Sequence, residues 1–162
     1  MYNFTNLINR LPNTVVTALK NTQQNPKHHA EGSVYNHTEM VFNAALHDGA
    51  DSDFLVAAIF HDLGKIDCTK QKLQKDGTYA IVAIGHELLC KKYLDKYIYL
   101  YDDIVIDINK IYQICDKHMY SHLYLNGSIK KKAKIDAFES LPYFNDIIQF
   151  STYDKNGRIP GV

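Results

Sequence analysis

The sequence has no apolar run of 18 residues, no excess of either charge, no tryptophan and no CxxC pair among its three cysteines. Without such a run, and without a leader-like N-terminus, it carries no recognisable membrane span or signal segment, and a cytoplasmic protein is expected. Eighteen basic residues balance eighteen acidic ones. That balance excludes a global field drawing the chain to nucleic acid or a membrane surface, so any phosphate recognition must be local. Cys68, Cys90 and Cys115 are an odd set without metal-ribbon spacing, which argues against a disulfide framework and makes them small core fillers in a reducing compartment. What remains is a chain of 162 residues, 46% hydrophobic, with 12 tyrosines, 7 phenylalanines and 8 histidines. That suits one soluble domain over residues 1–162 with a core of useful size.

Periodicity predicts mostly helix. "FTNLINRLP" reads as a short opening helix ended near Pro12, and "NTVVTALKNTQQNP" as a second, with Asn13 as cap and Pro26 as stop. His28 to Gly32 reads as a connector. From Ser33 the positions Val34, Val41, Ala44 and Ala45 recur at helical spacing to about Asp48, with His37 on the same stripe and Gly49 as terminator. A fourth helix is expected from Ser52 to Gly64, with Gly64 as a positive-φ C-cap. Asp76-Gly77 between "TKQKL" and "TYAIV" signals a short β-hairpin, read as a mobile flap. Helices follow in "HELLCKKYLDKY", in "DDIVIDINKIYQICDKHMYSHL" as one helix, in "IKKKAKIDAFESL" capped by Ser128, and in "PYFNDIIQFSTYDKNGR".

Ionisable residues fall in register with these apolar stripes. Ile104, Ile108, Ile111, Cys115 and His118 step by four, three, four and three, and Tyr143, Ile147, Phe150 and Asp154 by four, three and four. With His37 and the pair His61-Asp62 ending the apolar run "VAAIFHDLGK", five polar side chains from four helices point inward. A lone buried histidine is most often a core residue satisfied by one hydrogen bond. Five converging from four helices are better explained by a divalent cation, whose coordination offsets the cost of burying them. Helical interiors hold such cages.

The order His37, His61-Asp62, Asp154 resembles the H...HD...D pattern of the HD-domain metal-dependent phosphohydrolases. The text around it, "HHAEGSVYNHTEMVFNAA", "FHDLGK", "GHE" at Gly85 to Glu87 and "YDKNGR", is similar to the HD domain appended to bacterial CCA-adding tRNA nucleotidyltransferases, over roughly residues 26 to 158. The nucleotidyltransferase part has no counterpart here, so tRNA extension is not implied. The resemblance implies an all-α HD-domain bundle and hydrolysis of phosphate esters, particularly nucleotide or RNA-end 2′,3′-cyclic phosphates and 2′-phosphates. It makes His37, His61, Asp62 and Asp154 ligands of one ion. Related dinuclear centres add two histidines in the interval that holds His86 and His118, with His122 as rival to His118. One or two ions of manganese, nickel, iron, magnesium or zinc are the implied cofactors. Asp62, with one oxygen on metal and the other free, could orient or deprotonate the attacking water, or bridge to a second ion.

Outside the metal shell, Lys65 either reaches over the site to a phosphate or is a solvated lysine at a helix C-terminus. Arg158 follows the last aspartate where the similar domains carry an arginine, and is a candidate phosphate grip. His29 and Glu31 match the "HxEG" loop of those domains and are expected at the mouth of the pocket. His47-Asp48 is a second HD pair, but ten residues after His37 a helix has turned by about 280°, which removes it from the stripe. "KKKAK", Lys130 to Lys134, reads as a solvated helix face rather than an RNA contact. The tyrosines of "YLDKYIYLYDD" read as packing rather than base-stacking groups. A nucleotidase, a dNTPase or a cyclic-dinucleotide phosphodiesterase on the same fold is the alternative function, and a non-catalytic HD regulator a third. The expected partner is a small nucleotide or an accessible RNA terminus.

Overall fold

A computed structural model of the protein describes residues 2–161. Its elements are α1 (Phe4–Ile8), α2 (Asn13–Asn21), α3 (Val34–His47), α4 (Ser52–Phe60), α5 (Lys65–Cys68), β1 (Lys70–Leu73), β2 (Tyr79–Val82), α6 (His86–Tyr97), a 3-10 turn (Ile98–Tyr101), α7 (Ile108–Leu125), α8 (Lys132–Glu139) and α9 (Phe144–Asn156). The fold is therefore mostly helical, with one two-stranded antiparallel ribbon in which Lys70 faces Val82 and Leu73 faces Tyr79. No helix among the described residues is long and apolar enough to cross a membrane.

Four helices form the frame of the site: α3 packs on α4 and α9, and α7 packs on α4 and α9, while α6 covers α7. α4 is the central member, and every residue from Phe54 to Phe60 is buried. Its entrance is fixed by Asp51, whose carboxylate accepts the N–H groups of Asp53 and Phe54. The N-termini of α4, α7 and α9 meet at Lys110, whose ammonium lies 3.1 Å from Asp51, 3.2 Å from Asp53 and 3.2 Å from Asp146. Asp53 and Asp146 stand in the first turns of α4 and α9, where the helix dipole favours them. With their starts gathered there, these helices deliver His61, His118 and Asp154 toward the opposite end.

Several boundaries differ from the sequence-based expectation. Pro12, not Asn13, caps α2, and α2 stops at Asn21, where the chain turns to pair Gln23 with Ser33. Residues 102–107 lie outside α7, because the Asp107 carboxylate accepts the Lys110 N–H and starts the helix there; Ile104 is still buried. Ser128 caps nothing: its hydroxyl donates to Asn126 and α8 begins after Lys131. The hairpin and its Gly77 at φ 83° are as expected.

Gly64 is a correction of cause. α4 ends at Phe60, and Gly64 has φ −61°, so left-handed freedom is not its purpose. A Cβ at this position would lie 2.0 Å from the His86 carbonyl oxygen. Glycine is needed because α6 crosses the end of the HD segment at backbone contact, and the Cys90 thiol donates to the His61 carbonyl across the same crossing. Gly64→Ala is expected to cost about 2 kcal/mol or more of folding stability through overpacking, measured by urea unfolding. An unchanged midpoint would show that the two segments can separate freely.

Candidate metal centre

Asp62 lies between two pairs of imidazoles. Its Oδ2 is 3.4 Å from His37 Nε2 and 3.3 Å from His61 Nε2, and its Oδ1 is 3.0 Å from His86 Nε2 and 3.6 Å from His118 Nε2. His37 Nε2 is also 3.0 Å from Asp154 Oδ1. The side chains fall into two groups suited to a cation, His37 with His61 and Asp154, and Asp62 with His86 and His118, every one buried. Both oxygens of Asp62 thus face imidazoles. Of the two expected roles for Asp62, this placement between the two groups suits the bridging one.

The ring orientations follow from short-range hydrogen bonds. His61 Nδ1 bonds the Ala58 carbonyl at 2.8 Å, His86 Nδ1 the Ala83 carbonyl at 2.8 Å and His118 Nδ1 the Cys115 carbonyl at 2.7 Å. Each partner is three residues upstream of its histidine. His37 Nδ1 bonds the Gly157 carbonyl at 2.8 Å, which ties α3 to the end of α9. A carbonyl only accepts, so all four Nδ1 atoms donate, and each neutral ring keeps its lone pair on Nε2. The four Nε2 atoms then converge, with His86 and His118 at 3.1 Å and His37 and His61 at 3.4 Å. Two lone pairs at that distance repel unless a proton or a metal ion stands between them. Ligands about 2.1 Å from a common ion stand about 3.0 Å apart at right angles and about 3.4 Å apart in a tetrahedron. The observed separations match that span, and the nitrogen and oxygen donor set fits a borderline divalent ion.

Electrostatics around the centre are unusual for a buried site. Burial alone would push Asp62 up, yet His61, Lys65 and His118 beside it hold its carboxyl well below the ordinary range. Asp154 is likewise held down against burial by His122, His37 and Arg158. Burial would lower His37, but Asp154, Glu31 and Asp62 around it raise it to about 9.

The residues expected outside the metal shell are all close by; His29 lines the cavity as expected, and Glu31 is placed elsewhere. Lys65 is not solvated: it is buried, and its ammonium is 2.7 Å from both Asp62 Oδ2 and Gln24 Oε1. Glu31 is not at the mouth; its carboxylate sits beneath His29, 2.7 Å from His29 Nδ1 and 3.2 Å from His37 Nδ1, and takes the Ile159 N–H at 2.9 Å. Accepting those groups brings its carboxyl down to about 2 in spite of burial. His29 is held neutral by burial and the nearby Lys65, its pKa lowered to about 4. Arg158 donates to Asp154 Oδ1 at 3.0 Å. His122 is 2.5 Å from Asp154 Oδ2, so the geometry places His118 in the Asp62 group and His122 behind Asp154.

A cavity of about 580 Å³ opens over the centre. Asp62, His86, His118 and Asp154 contribute to its floor, Lys65, Arg158 and His29 to its polar side, and the end of the hairpin, Ile81 to Ile84, to its apolar side. None of the tyrosines lines it; Tyr101 is instead buried with its hydroxyl on the Leu7 carbonyl. Lys130 to Lys134 are exposed, as expected for a solvated face. Gln24 was not foreseen, because its role depends on the turn after α2 that brings it against Lys65, and no periodicity marks such a contact.

The raised His37 pKa gives a testable sign. Its proton contributes stability that is complete below the ordinary histidine value near 6.5 and is lost as pH rises through about 9. Chelator-treated protein is expected to lose stability across that window in urea titrations. Added Mn²⁺ is expected to abolish the decline, because the ion takes the proton's place on Nε2; a flat profile without metal would contradict it. No family model matches the chain, and none of the curated proteins compared with it matches either, so the reading of these groups rests on their own geometry and chemistry.

Proposed function

We propose that the chain is an HD-type metal-dependent phosphohydrolase acting on a nucleotide or RNA-end phosphoester, a 2′,3′-cyclic phosphate or a 2′-phosphate. The observation that carries this reading is the pair of buried donor groups sharing the Asp62 carboxylate, supplied by residues in the order His37, His61-Asp62, His86, His118, Asp154. Divalent ions held there would supply a hydroxide at neutral pH and neutralise the phosphate oxygens.

The protein's own groups account for the rest of the site. His37, His61 and Asp154 would hold one ion, His86 and His118 the other, and the Asp62 carboxylate between them would serve both. A carboxylate oxygen has two lone pairs, so Asp62 Oδ2 can keep the Lys65 ammonium while it serves the His37 group. Lys65 and Arg158 put two cations on the wall of the cavity, where they attract and orient a phosphate.

Purified protein supplied with Mn²⁺ or Ni²⁺ is expected to hydrolyse 2′,3′-cAMP or 2′-AMP in preference to dNMPs and dNTPs. Asp62→Asn is expected to lower kcat at least about 1,000-fold while the helical circular dichroism signal is retained. Full turnover by that variant would reject the role given to Asp62.

A further inference from the structure

His29 stands apart from the ligands and faces the same cavity. Its Nδ1 lies on the Glu31 carboxylate at 2.7 Å, and that carboxylate also takes the Ile159 N–H at 2.9 Å, so it stands there as an acceptor. His29 Nδ1 is therefore the donor, and in the neutral ring Nε2 carries the lone pair. That atom has no hydrogen-bond partner among the described residues, and no buried side-chain nitrogen or oxygen among them lacks one, so Nε2 is accessible, on a side chain that lines the cavity. The arrangement is rigid. Glu31 is pinned by the Ile159 N–H, and the Ala30 N–H returns to the Ile159 carbonyl at 2.8 Å. The His29 ring packs edge-on against His37 with centroids 4.9 Å apart, which puts its acceptor beside the first donor group.

An acceptor fixed at that place does not suit a phosphate oxygen, which is also an acceptor. It suits a hydroxyl donor carried close to the phosphorus. Lys65 and Arg158 line the same cavity and keep N–H donors beyond those given to Gln24, Asp62 and Asp154, so a phosphate has donors there and the hydroxyl facing His29 would come from the sugar.

We propose that His29, positioned by Glu31, is a specificity-determining residue that accepts a hydrogen bond from the free hydroxyl vicinal to the phosphate ester, selecting ribonucleoside 2′- or 3′-monophosphates over their deoxy counterparts. This rests on the phosphohydrolase reading above and narrows it to monoesters of a vicinal diol. His29 binds; it is not needed to form or break a bond at phosphorus.

The test compares kcat/KM for 3′-AMP with 2′-deoxyadenosine 3′-monophosphate, and for 2′-AMP with its 3′-deoxy counterpart, in the Mn²⁺-loaded protein. At least about a tenfold preference for the ribonucleotide is expected, falling to near unity in His29→Leu and partly restored in His29→Gln, whose amide oxygen can accept. Metal content and circular dichroism of the variants separate a lost hydrogen bond from a damaged centre. Equal rates on ribo and deoxy substrates by the unaltered protein, or a preference that survives in His29→Leu, overturns the inference and leaves the phosphohydrolase reading standing. No hydrolysis of any of the four overturns the inference, and the phosphohydrolase reading falls with it if 2′,3′-cAMP is also left intact.

Discussion

The structure depends on four imidazole rings whose Nδ1 atoms are each committed to a backbone carbonyl. That commitment leaves four lone pairs pointing at one another and at two carboxylates inside a closed core. A charge-free version of this arrangement is repulsive, so the fold has stability to gain from a cation and little reason to keep these side chains without one. Three of the carbonyls lie one helical turn before their histidines, so most of the orientation is local and comes with the backbone. The fourth, at Gly157, needs α3 and α9 to meet; Gly157 has no room for a Cβ against Val41, and that close approach makes the contact.

Around this centre the polar groups act in pairs that oppose each other's burial cost. Gln24 holds Lys65 on Asp62, His122 and Arg158 hold Asp154, and Glu31 lies under both His29 and His37. A chain with no net charge still builds a cationic wall beside a donor-lined floor, because the charges are sorted by depth rather than by number. At the far end, Lys110 gathers the starts of α4, α7 and α9. The bundle is thus tied by one ionic cluster at its base, and the His/Asp groups and their cavity stand away from it.

Much of this was legible in the sequence wherever a side chain repeats with its helix. His118 could be placed because it continues the stripe of Ile111 and Cys115, and Asp154 because it continues that of Ile147 and Phe150. His86 had no stripe to join: it opens α6, and only its order relative to the HD pair marked it. The sequence was silent where contact depends on two segments meeting. Gly64 looked like a cap and is a crossing point, Lys65 could be read as solvated or as reaching over the site and is buried on Asp62, and Glu31 looked peripheral and lies beneath two histidines. Capping chemistry misled at Ser128, and the apolar stripe started α7 too early, because Asp107 takes the cap and leaves Ile104 packed from a loop.

The central claim is that the two donor groups flanking Asp62 hold divalent ions. Anomalous diffraction from crystals grown with Mn²⁺, recorded at the manganese edge, tests it directly. The account predicts peaks on both sides of the Asp62 carboxylate, one within bonding distance of His37, His61 and Asp154 and the other of His86 and His118. Saturating metal with no anomalous density beside Asp62, or density only at surface carboxylates, would contradict it.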